Sequence, residues 1–210
     1  MMDLIANLIS GLSLGSIYAL IALGYTMVYG IAKMLNFAHG DIIMVGAFAV
    51  ITTVSMLGFP PALAIAASVV CCVVLGVCVE RIAYKPLRKS PPLAVLITAI
   101  GVSYFLQSLA LLIFGSTQHS FPKVFSVPTL ALGALTIRGD MLVTLAVTTA
   151  IMVGMSLFIA KSRTGKAMRA VSEDRDAAEL MGISVNRTIT ITFAIGSALA
   201  AVAGVFYGTT

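Results

Sequence analysis

Six long apolar runs separated by short polar stretches set the pattern of the chain, at residues 4–29, 42–57, 62–79, 93–114, 141–160 and 189–207. A helix needs roughly 20 apolar residues to cross the hydrocarbon of a bilayer. Each run approaches that length. The second is the shortest and is closed by the turn signal Gly58-Phe59-Pro60-Pro61. No barrel-like alternation appears, and unpaired backbone groups are too costly in lipid, so every span is predicted helical. The pattern predicts an all-α polytopic transmembrane helix bundle of about six spans, forming one membrane domain over residues 1–210. The first run has no basic segment before it and continues past signal-peptide length, so it does not read as a cleavable secretion signal.

The polar stretches fix an orientation. ERIAYKPLRKS, residues 80–90, carries Arg81, Lys85, Arg88 and Lys89, and residues 161–187 carry six further cations. The segment between them, residues 115–140, holds only Lys123 and Arg138. Two basic loops flanking a weakly charged one is the positive-inside pattern, which places the basic loops in the cytoplasm and the N-terminus outside. The outer segment alternates near residues 134–138, suggesting a short strand or hairpin, with a plain loop as the alternative.

Composition supports the lipid setting. Of 210 residues 60% are hydrophobic and 10% charged, with mean hydropathy +1.07. A soluble domain carries about 25% charged residues. The net charge of +5 sits in the loops, so it reads as topological bias rather than as nucleic-acid binding. Cys71, Cys72 and Cys78 share one apolar run with no His or carboxylate at ligand spacing, which suggests small apolar fillers and no metal site. Gly196, Ala200, Gly204 and Gly208 form a small-residue stripe, as do Gly11 and Gly15. Such spacing lets helix backbones approach closely in lipid. GSIYALIAL and GSALAAVAG look alike, through either duplication or shared packing needs.

One polar cluster interrupts the oil. MLNFAHGDIIMVGAF, residues 34–48, gathers Asn36, His39, Gly40 and Asp41. Three readings stay open. Asn36 and Gly40 end the first helix and Asp41 caps the second. Alternatively, a broken helix at membrane depth offers backbone groups to the ammonium and carboxylate of a transported amino acid, making these residues a candidate translocation path. In the third reading His39 and Asp41 relay protons.

The loop at residues 161–187 predicts two short helices, capped by Thr164 and Ser172, with Gly182 as the final stop. Ala177, Ala178, Leu180 and Met181 offer an apolar face, while Glu173, Asp174, Asp176 and Glu179 would be repelled by anionic headgroups. A protein partner is therefore expected. DAAELMG, Asp176 through Gly182, resembles the coupling loop of ABC importer membrane subunits, with Asp in place of Glu at the first position. LNFAHGDIIMVGAF, ERIAYKPLRKSPPLAVLITAIGVSYFLQ and SRTGKAMRAVSEDRDAAELMGISVNR resemble, in the same order, the branched-chain amino acid ABC importer permeases of the LivH type.

That resemblance implies a permease subunit in the bacterial cytoplasmic (inner) membrane. It would work with an ATP-binding subunit, a second permease subunit and an extracytoplasmic substrate-binding protein. Asp176, Ala177, Ala178, Glu179 and Gly182 would form the ATPase-coupling helix. ATP and Mg would sit on the partner, since this chain has no GxxxxGK[ST] loop and so no expected cofactor of its own. Permeases of this type continue for several more spans, so the chain is expected to be short at its carboxy end. The alternative of another class is a proton-coupled secondary transporter. An enzyme is disfavoured, because neither paired intramembrane carboxylates nor HExxH is present.

Overall fold

The computed structural model describes every residue except Met1, Lys89, Lys123, residues 125–127 and 133–134, and Thr210, so the expectations at Lys89, Lys123 and Ala134 lie outside the described residues. Among the described residues, eight α-helices follow in order: α1 Met2–Ala32, α2 His39–Ile51, α3 Pro61–Val79, α4 Pro92–Phe114, α5 Gly139–Lys161, α6 Arg163–Glu173, α7 Arg175–Leu180 and α8 Val185–Thr209. Single π-helical turns extend α2 through Thr52–Met56 and α3 through Glu80–Tyr84. Six of these helices, π-turns included, are long and apolar enough to cross a membrane. A short antiparallel hairpin, β1 Leu130–Leu132 with β2 Leu135–Ile137, lies in the segment before α5.

Local chemistry explains the boundaries. Pro60 and Pro91 are extended, with Pro61 and Pro92 opening α3 and α4, where a missing N–H costs nothing and φ is already helical. Gly115 at φ 75° closes α4. In the π-turn after α2, the Thr53 hydroxyl donates to the Ala49 carbonyl at 2.6 Å and that of Thr52 to Phe48 at 2.9 Å, a back-bonding that bends helices.

Helix α8 forms the centre of the bundle, packing on α1, α2 and α3; α5 lies outside α1, and α4 lies along α2. Small residues make the close crossings. A Cβ on Gly204 would sit 2.5 Å from the Ile43 carbonyl oxygen, and one on Gly196 would sit 2.7 Å from Val28 Cγ2. Ala200 is fully buried beside them. Gly46 faces the Ala201 backbone, Cys72 and Ser68 in the same way. Gly11 and Gly15 face outward, where a Cβ would meet nothing. Hydroxyls join α1 to α5: Thr148 donates to Ser16 at 2.9 Å with both side chains buried. Without water, that bond satisfies groups that lipid cannot.

The two basic loops meet at one end of the bundle. Arg88, after α3, bonds Asn186 at the start of α8, and Arg175, at the start of α7, reaches the Ala32 carbonyl at the end of α1.

Candidate functional site

The break between α1 and α2 carries the first group of polar side chains. Helix α1 ends at Ala32, where Lys33 turns left-handed at φ 52° and donates its N–H to the Tyr29 carbonyl at 2.8 Å. The chain then runs back into the bundle before α2 begins at His39. The His39 ring lies against Gly24, within 3.2 Å of where a Cβ would stand, and Gly196 of α8 borders the same point. Gly24 precedes the end of α1 by eight residues. At 1.5 Å per residue, the His39 ring therefore reaches about 12 Å back along α1 from its end.

The side chains at this break are buried and incompletely satisfied. His39 is 3% exposed and set edge-on to the Tyr25 ring, with the Ile21 backbone beside it, and its Nε2 makes no hydrogen bond of good geometry. Asp41 accepts from Gln107 Nε2 of α4 at 3.0 Å through Oδ1, while its buried Oδ2 has no partner. The expectation that Asp41 caps α2 is corrected: no side chain caps this helix. Capping needs the position just before the first helical residue, and Ala38 holds it; Asp41, in the third helical position, points across to α4 instead. Asn36 and Gly40 do not end α1 either. Its last residue is Ala32, and Gly40 lies exposed inside the first turn of α2. The Asn36 Oδ1 accepts from the Tyr84 hydroxyl at 3.1 Å, which places Asn36 with the second group rather than with Asp41.

That second group occupies the basic end. Glu80, the first residue of the π-turn after α3, continues the buried stripe of Ala64, Ser68, Cys72 and Gly76 and is fully inside, at 0% exposure. Its Oε1 accepts from Arg88, and its Oε2 accepts from the Thr190 hydroxyl at 2.9 Å. Arg88 also donates to Asn186, leaving its Nε buried and without a partner. Arg175 donates to the Ala32 carbonyl, at the negative pole of α1. Burial, with the Arg88 guanidinium nearby, pushes the Arg175 guanidinium below its ordinary range. Sequence reasoning assigned Glu80 and Arg88 to a plain basic loop. The signal was a lone carboxylate at the edge of an apolar run, continued by the buried Tyr84.

Helices α6 and α7 form a hairpin on this end. The expected caps move by two residues. Ser162, not Thr164, caps α6 by accepting from the Gly165 N–H at 2.8 Å. Asp174, not Ser172, caps α7, accepting from the N–H groups of Asp176 and Ala177 at 2.9 and 3.0 Å. Each replaces a residue already inside the helix; the Ser172 hydroxyl instead donates back to the Arg169 carbonyl at 2.7 Å. Gly182 at φ 80° closes the turn and donates to the Glu179 carbonyl at 3.0 Å. Ala178 packs into the bundle at 4% exposure, while Asp176, Ala177 and Glu179 face outward. Leu180 and Met181 stand out at 89% and 82% exposure.

The sequence model for the family described as "Branched-chain amino acid transport system / permease component" matches residues 7–210. The high-affinity branched-chain amino acid transport system permease protein BraD of Pseudomonas aeruginosa is 42% identical over 96% of this chain and 70% of its own length. The permease protein LivH of the corresponding system in Escherichia coli is 42% identical over the same shares. A probable LivH of Methanocaldococcus jannaschii is 30% identical over 90% of this chain and 61% of its own length. No solved structure matches.

Proposed function

From a chain that belongs to the branched-chain amino acid transport system permease family and forms a multi-pass helix bundle, we propose a membrane-spanning subunit of an ATP-driven importer for branched-chain or similar amino acids. The site would be the bacterial cytoplasmic membrane, with the basic end inside. ATP and Mg would be handled by a separate ATP-binding subunit, substrate would arrive on an extracytoplasmic binding protein, and a second permease subunit would complete the pathway.

The observation that carries the coupling reading is the α6–α7 hairpin. Leu180 and Met181 project from a capped helix that Arg175 ties directly to the end of α1. A neighbour that grips those two side chains pulls on α1, and α1 borders the break where α2 begins. Exposed large apolar groups flanked by carboxylates suit a protein cleft with an apolar floor and cationic rim. At the break, the uncapped N-terminus of α2 favours the carboxylate of an amino acid, and the free Oδ2 of Asp41 favours its ammonium.

The buried His39 Nε2 and the unpartnered Asp41 Oδ2 are also what a proton-coupled transporter would need, so that reading is kept as the second. The two are separated by leucine uptake into proteoliposomes holding the chain with its ATP-binding and second permease subunits. Uptake is expected to require internal ATP and to survive collapse of the proton gradient. Uptake that follows the gradient and ignores ATP would overturn the ATP-driven reading.

A further inference from the structure

A cleft of about 320 Å³ opens at the basic end between the α1–α2 break, the turn before α4 and the start of α7. Its lining includes three cations, Lys33, Arg88 and Arg175, together with the apolar surfaces of Tyr29, Pro92 and Leu96. Among the described residues, none of those lining it is acidic. Glu80 lies behind Arg88 and holds its NH2 group, yet the Arg88 Nε is buried with nothing to donate to. Asp176 follows Arg175 in sequence and lies exposed, so it does not close the cleft. Lys33 is exposed and held in place by its left-handed backbone at the end of α1. Glu80 offsets the charge of Arg88 alone, so Lys33 and Arg175 remain like charges that repel one another unless an anion joins them.

The position of the cleft narrows the anion. Tyr29 and Leu96 belong to spans α1 and α4, so the apolar lining belongs to membrane-spanning helices. Tyr29 is 48% exposed and lies in the last turn of α1, an amphipathic ring near a span end of the kind enriched at headgroups. Apolar lining from two spans together with cations at the basic end of a bundle matches an acyl chain joined to a phosphate. We propose that this cleft binds the phosphodiester headgroup of an anionic phospholipid, with Lys33 and Arg175 donating to its oxygens beside the Glu80-paired Arg88, and the acyl chains lying against Tyr29, Pro92 and Leu96. The bound lipid would brace the break, the α3–α4 turn and α7 together. The inference rests on the cleft and the membrane setting, and it is independent of what drives transport.

The test uses the full chain purified in neutral detergent, titrated with phosphatidylglycerol, with phosphatidylcholine, or with inorganic phosphate. Native mass spectrometry reads retained lipid, and a thermal unfolding midpoint reads protection. Phosphatidylglycerol is expected to be retained and to protect, with phosphatidylcholine doing neither. Lys33→Gln should weaken retention roughly fivefold, and Lys33→Gln with Arg175→Gln should weaken it further. Arg175→Lys should keep most of the binding, which separates lost charge from a lost fold. Arg81→Gln removes an exposed cation near the same end but outside the cleft, and should change nothing. Equal retention of both lipids, or equal weakening by Arg81→Gln and Lys33→Gln, overturns the proposal. Protection by inorganic phosphate alone keeps an oxyanion site but overturns the lipid as its source.

Discussion

Replacing Glu80 by Gln tests the basic end at its most buried point. Glu80 is fully enclosed and accepts from both Arg88 and Thr190, while the Arg88 side chain is 11% exposed. The amide introduced by Glu80→Gln would keep one carbonyl acceptor but remove the charge that offsets the guanidinium. A buried ion pair broken on one side costs about 3–5 kcal/mol, because the remaining charge is left uncompensated. For a chain of this size that corresponds to a fall of roughly 6–20 °C in unfolding midpoint. Replacing both partners, as in Glu80→Gln with Arg88→Met, removes the orphaned charge and should recover most of the loss. The assay is thermal unfolding of the purified full chain in detergent, run as a double-mutant cycle. If the single variant melts within about 2 °C of the parent, or the double variant falls as far as the sum of the two singles, Glu80 and Arg88 do not act as a buried pair and the reasoning fails.

Three further outcomes follow from the same geometry. Gly204→Ala places a methyl against the Ile43 backbone and should cost about 1–3 kcal/mol, whereas Gly11→Ala, which meets nothing, should be neutral or stabilising by up to about 1 kcal/mol; unfolding midpoints of the two compare them directly. Asp174→Ala removes the α7 cap and should cost that turn about 0.5–2 kcal/mol, seen as faster amide hydrogen exchange at Asp176 and Ala177 with the spans unchanged. Gly182→Val, forced to φ 80°, should lower the unfolding midpoint and loosen the α7–α8 connection, again read by hydrogen exchange.

The six spans were legible because lipid imposes a minimum apolar length and forbids open backbone, so the run at residues 93–114 predicts α4 to within a residue, while that at 189–207 falls inside α8, Val185–Thr209, because the polar first turn of α8 hides its start. The small-residue stripe of α8 was legible for a related reason: Gly196 and Gly204 sit where backbones meet. The stripe at Gly11 and Gly15 has the same spacing but faces outward, since spacing identifies a face without saying what covers it. Caps were misjudged by two residues at α6 and α7, because Ser162, Thr164, Ser172 and Asp174 are all competent and only the backbone turn selects among them. Asp41 looked like a cap beside Gly40 and proved to be a long-range partner of Gln107, 66 positions away, which no local pattern encodes. Glu80 was hidden by its basic neighbours: its four-residue spacing from Ala64, Ser68, Cys72 and Gly76 points it inward, but the charges around it made the segment read as a loop.

In the proposed function, α7 would be the inward-facing grip of a partner ATPase. The direct measurement is labelling of Met181→Cys by a membrane-impermeant maleimide, in a chain whose Cys71, Cys72 and Cys78 are replaced, in right-side-out and inverted vesicles. The account predicts labelling in inverted vesicles only, and protection there when the ATP-binding subunit is added. Labelling from the outer face, or full labelling with that subunit bound, would contradict it.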